Sequence, residues 1–165
     1  MTDLRLLMAA LGGESACLVR VESTEGSAPR EVGAWMAVFT ARLVGTIGGG
    51  HLELQAIAEA RRRLGGVPGP AQMRYALGPA PGPCFGGVVL LGFERLTAAD
   101  LAPGAGLRAR LSPHLHPVAL FGGGHVGHAL ARVLTPLPFA LTWIDSRDGV
   151  FPPNPPEGVV CEHSE

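Results

Sequence analysis

The letters GGGH occur twice in this chain, at Gly48 to His51 and at Gly122 to His125, each time between an apolar run and a helix-like run. In the second copy Gly122, Gly124 and Gly127 complete G-x-G-x-x-G, and Asp145 closes the next apolar run about 20 residues on. Glycine there permits a tight turn and lets a diphosphate approach backbone N–H groups. Gly127 lets helix pack on strand, and a carboxylate at Asp145 can accept from ribose hydroxyls. Arg147, two residues later, leaves a 2′-phosphate possible. The same residues also fit a βαβ turn whose nucleotide site is vestigial or serves another ligand. In the first copy the position matching Gly127 is Glu53, so it is not a second dinucleotide fingerprint. Its N–H groups, at Gly48, Gly49, Gly50 and His51, still form a potential anion site at a helix start. Glu53 opposes that reading, because a carboxylate in the first turn satisfies the helix dipole and repels a phosphate. A ligand with both an oxyanion and a donor-rich ring, such as a pterin, reconciles the two. Glycines kept for close packing, with Glu53 as dipole partner, are the simpler alternative.

Cys84 stands in "GPCFGG", where the glycines let a ligand approach and leave the sulfur little steric cover. A soft thiolate suits thiophilic metals and sulfur exchange, although a lone cysteine is commonly a plain loop or core residue. In "GSAPRE", Pro29 stiffens a turn and Arg30 offers a fork to an acidic group. Ser27 has no adjacent base that would make it a nucleophile. His114, His116, His125 and His128 lack an acidic or cysteine partner to complete a metal-ligand set.

The elements that position these residues follow from periodicity. Leu4, Leu7, Met8 and Leu11 mark an amphipathic N-terminal helix. "CLVRVESTE", "AWMAVFT", "RLVGTI", "QMRYAL" and "VVLLGFERL" read as strands, and "HLELQAIAEARRRL" as a helix burying Leu54, Ile57, Ala58 and Leu64. The expected fold class is α/β, beginning with a small α+β domain with a mixed sheet over residues 1–96. Residues 97–116, rich in Ala, Gly and Pro, read as a linker. Residues 117–165 open a Rossmann-like βαβ domain, "VALF", "HVGHALARVL" and "FALTWID", that looks incomplete. Parallel strands so sparsely accompanied expose an edge and apolar surface, so a second copy of the chain or further residues are expected to complete the sheet.

Bulk composition narrows the partners. A net charge of −1 gives no footprint for nucleic acid, and no apolar run is long enough to span a bilayer. Three widely spaced cysteines suit a reducing, cytoplasmic compartment better than a disulfide framework.

Together "EGSAPREVGAWMAV", "GTIGGGHLELQAIAEARRRL", "LGPAPGPCFGG" and "VALFGGGHVGHALARVL...WIDSRDGVFP" resemble the XdhC/CoxI family of xanthine dehydrogenase accessory proteins. The resemblance implies a non-catalytic protein that binds the molybdenum cofactor (molybdopterin) and protects it while a cysteine desulfurase partner supplies its terminal sulfur. It would then deliver the cofactor to the molybdenum subunit of xanthine dehydrogenase. On that reading Ser27, Arg30, Gly48, Gly49, Gly50, His51, Glu53 and Cys84 line the cofactor site, with Cys84 beside the metal. Gly122, Gly124, Gly127 and Asp145 keep a site for NAD(P) or another nucleotide. This chain departs from the family where Pro83-Cys84-Phe85 replaces Gln-Cys-Cys, which leaves one thiol, and where the C-terminal domain stops short. The competing class is an NAD(P)-dependent oxidoreductase, which rests on the second glycine loop alone.

Overall fold

A computed structural model describes residues 2–78, 86–112 and 115–164, which form two units, residues 1–112 and 113–165. In the first unit, helix α1 (Thr2–Leu11) precedes β1 (Ala16–Glu25), β2 (Trp35–Val38) and β3 (Leu43–Gly45). Helix α2 (Gly50–Leu64) follows, then β4 (Gln72–Ala76), β5 (Val88–Leu96), a 3-10 turn (Ala98–Leu101) and α3 (Leu107–Leu111). The strands pair in the order β3-β2-β1-β5-β4.

Every pairing in this sheet is antiparallel, which corrects the expected mixed sheet. A helix between two strands suggests a parallel pair. Here α2 joins β3 and β4, which point the same way but occupy opposite edges, so they never meet. Alternation along β1 sends Cys17, Val19 and Val21 to one face, where α2 covers them together with Met36, Val38, Leu91 and Phe93. The other face takes Leu18, Ala37, Phe39 and Leu96 under α1 and α3.

The buried stripe of α2 is Leu52, Ala56 and Ala60, whereas Leu54 and Ala58 are exposed and Ile57 and Leu64 half-buried. Small residues at four-residue spacing let the helix lie close to the sheet, a choice that apolarity alone does not reveal. Behind the stripe, Glu59 accepts from Arg62 and Arg63, and the Arg63 guanidinium lies 4.2 Å from the centroid of Phe93.

The segment expected as a linker, residues 97–116, is for the most part structure of the first unit, which runs through Ser112. A capping box between Thr97 and Asp100 starts the 3-10 turn, Leu107 and Leu111 are buried against Leu96, and the Trp35 indole donates to the Leu111 carbonyl at 3.1 Å. Two leucines four apart were hidden among Gly, Pro and Ala.

In the second unit, β6 (His116–Phe121), α4 (His125–Leu134), β7 (Phe139–Asp145) and β8 (Val160–His163) give a parallel sheet of order β6-β7-β8. Its core is Leu120, Ala131, Leu141 and Trp143. β8, in "GVVCEHSE", carries no apolar alternation and was absent from the expectation.

Candidate functional site

Three glycine-bearing segments of the first unit meet at one end of its sheet. Gly48, Gly49 and Gly50 all have positive φ, at 115°, 77° and 65°, so the chain passes from β3 into the first residue of α2 through a left-handed turn. A Cβ on Gly48 would lie 2.6 Å from the Pro29 side chain, so the "GSAPR" turn packs directly on the glycine turn. Across β1 and β5, a Cβ on Gly26 would meet the Gly86 carbonyl at 3.2 Å, and one on Gly87 would overlap the Ser27 carbonyl. Strand register causes this convergence, because the antiparallel pair β1–β5 brings Glu25 opposite Val88 and hence the loops after the one and before the other together. Ser27, Arg30, Gly48, Gly49, Gly50, His51 and Glu53 thus share one region of the unit. Cys84 lies outside the described residues, three positions from the Gly87 that anchors this corner.

Polar contacts in the turn are largely internal. One oxygen of Glu53, Oε2, accepts from the Thr46 hydroxyl and from the backbone N–H groups of Ile47 at 3.0 Å and Gly49 at 3.1 Å. The Thr46 hydroxyl in turn accepts from Gly48 N–H at 3.1 Å. Arg30 donates to the Thr46 carbonyl at 3.3 Å and pairs with Glu31, whose carboxyl it lowers while its own pKa rises through the same hydrogen bond. Arg30 remains 37% exposed, and His51 and Ser27 are exposed, so a polar ligand has access to this corner. Thr46 was not among the expected site residues. It lies seven positions before Glu53, a spacing with no periodic meaning.

The second glycine loop follows the expected strand-turn-helix order. Gly122 N–H donates to Ile144 at 2.9 Å, and the Trp143 indole donates to the Gly122 carbonyl at 2.9 Å. A Cβ on Gly127 would overlap the Gly122 carbonyl, so glycine is required for α4 to sit on the loop. Gly124 opens α4 and has open space where a Cβ would be.

Asp145 is buried and fully engaged. It accepts from the Arg147 guanidinium at 3.0 and 2.9 Å, from Gly123 N–H and from Arg147 N–H at 2.8 Å. Arg147 and these N–H groups hold its carboxyl well below the usual carboxylate range. Both oxygens that a ribose diol would need are therefore taken by the protein itself. His128 stacks edge-on against Trp143 and makes a hydrogen bond between its Nε2 and the Val150 carbonyl at 2.9 Å, while His125 is exposed.

Residues 9–76 match the model of the XdhC and CoxI family. That segment is similar to the XdhC and CoxI family. The match holds "GSAPR" and "GTIGGGHLE", and it ends before the Cys84 loop and the second unit. The chain is similar to a crystal structure from Bacillus halodurans described as a xanthine dehydrogenase, with a TM-score of 0.63 and 15% identity over 98% of this chain and 68% of the other. No curated protein matches the chain by sequence. The matched segment therefore contains every expected residue of the first site except Cys84.

Proposed function

We propose that this chain is a cytoplasmic, non-catalytic accessory protein that binds the molybdenum cofactor, protects it while its terminal sulfur is installed, and hands it to xanthine dehydrogenase or a related molybdenum hydroxylase. The observation that carries this reading is the convergence of the "GSAPR" turn, the glycine turn and Gly86–Gly87 within one unit, on residues of the segment similar to the XdhC and CoxI family or next to it. The donor set suits an anionic pterin. Arg30 and His51 offer cationic or neutral donors at an accessible surface, and the bare glycine backbone lets a flat ring come close. Cys84 stands three residues before Gly87 in the sequence and is the soft ligand this reading assigns to a thiophilic metal. When bound, the cofactor supplies the redox and sulfur chemistry of the client enzyme. The chain's own residues hold it, orient it and exclude other reactants. The cysteine desulfurase and the client enzyme are the partners this role requires, and a homo-oligomer is the proposed assembly.

An oxidoreductase reading draws on the second glycine loop alone, where the engaged Asp145 gives a nicotinamide cofactor no free carboxylate. The test is to purify the chain from a molybdenum-replete host and assay molybdenum, pterin and nicotinamide together. Molybdenum and pterin in equal amounts are expected, lost on Cys84→Ser with the fold kept by circular dichroism. Bound nicotinamide cofactor without molybdenum overturns the proposal.

A further inference from the structure

The carboxylate of Glu53 looks misplaced in a site meant for an anion, and the geometry removes the conflict. Oε2 accepts three hydrogen bonds, from the Thr46 hydroxyl, Ile47 N–H and Gly49 N–H, so that oxygen is turned onto its own turn. Because the Thr46 hydroxyl donates to Glu53, its lone pair is free to accept from Gly48 N–H, and the Thr46 carbonyl accepts from Arg30. One threonine thus joins the carboxylate, the glycine turn and the arginine. Three successive glycines at positive φ have wide conformational freedom, and without such ties the turn loses its shape.

We propose that Thr46 and Glu53 are a positioning pair that locks the Gly48–Gly50 turn and ties it to Arg30, and that Glu53 serves the site in this way instead of by touching the ligand. The inference rests on reading this corner as the cofactor site. It adds Thr46 to that site and gives Glu53 a role that its place near the glycines alone did not define.

Two readouts on the full chain test it. Thr46→Val keeps the side-chain shape and removes both hydroxyl hydrogen bonds, so amide exchange at Gly48 and Gly49 rises about tenfold while β1 and β5 amides are unchanged, and Thr46→Ser restores protection. Glu53→Gln keeps an oxygen that accepts from Ile47 and Gly49, so molybdenum and pterin retention stays within about twofold of the natural chain, whereas Glu53→Ala loses most of it. Unchanged exchange in Thr46→Val overturns the proposal. So does Glu53→Gln losing retention as fully as Glu53→Ala, which marks a charge in contact with the ligand. Faster exchange with undiminished retention in Glu53→Ala also overturns it, since the turn would then serve stability alone. A natural chain that retains neither molybdenum nor pterin removes the proposed function by itself, and the exchange pattern still decides whether the pair holds the turn.

Discussion

Carboxylates that fold inward govern both glycine loops, and a third, Glu59, anchors α2. The Arg62 and Arg63 guanidiniums hold the Glu59 carboxyl down at about 2 against the opposing effect of burial. Its folded pKa lies below the unfolded one, so the stabilisation is complete above the unfolded value near pH 4.5 and is lost as pH falls through about 2. Urea midpoints of the first unit are expected to drop across that window, by the equivalent of about 1 kcal/mol, and Glu59→Gln should flatten the dependence. Asp145 leads to a ligand prediction. Because Arg147 covers its oxygens, NAD titrated by calorimetry should bind weakly, and Arg147→Ala should tighten it several-fold by freeing them. Tight NAD binding by the natural chain would show that the guanidinium leaves readily.

At the scale of elements, α3 is the piece most easily mistaken for connection. Leu107 and Leu111 are each only 3% exposed, so Leu111→Ala should cost about 2–5 kcal/mol in chemical denaturation. A fragment ending at residue 96 should consequently be unstable or aggregate, while one ending at residue 112 keeps the cooperative unfolding of the intact unit. Equal stability of the two fragments would make α3 dispensable. Helix α4 depends instead on one missing methyl group. Gly127→Ala should destabilise the second unit by about 1–3 kcal/mol, read from Trp143 fluorescence in a Trp35→Phe background.

For the whole molecule, the exposed face of the parallel sheet is the outstanding physical problem. Helix α4 covers the side of Leu120, Leu141 and Trp143, but the opposite rows carry Phe121 at 75% and Val160 at 55% exposure. Parallel sheets are ordinarily covered on both faces. Light scattering at micromolar concentration is therefore expected to give a mass above that of one chain, and Phe121→Glu should return it to the monomer with circular dichroism unchanged. A natural chain that stays monomeric would mean that this face tolerates water.

Local period was enough to place most elements, because side chains that alternate along a strand or recur every three to four residues on a helix leave their mark within a short window. The seven strands read as such, α2 and α4, and the requirement for glycine at 127 were all legible in that way. Which strands pair is a different kind of fact. The fully antiparallel sheet, the docking of α3 and the shift of the α2 stripe to Leu52, Ala56 and Ala60 depend on partners supplied from elsewhere in the chain. The site divides along the same line. The glycines, Arg30 and Glu53 of this candidate corner stand out in the sequence, but the contacts of Thr46 do not, nor does the engagement of Asp145. Arg30 meets Thr46 across 16 residues and Asp145 meets Gly123 across 22, and a hydrogen bond spanning such a distance exists only once the chain has folded.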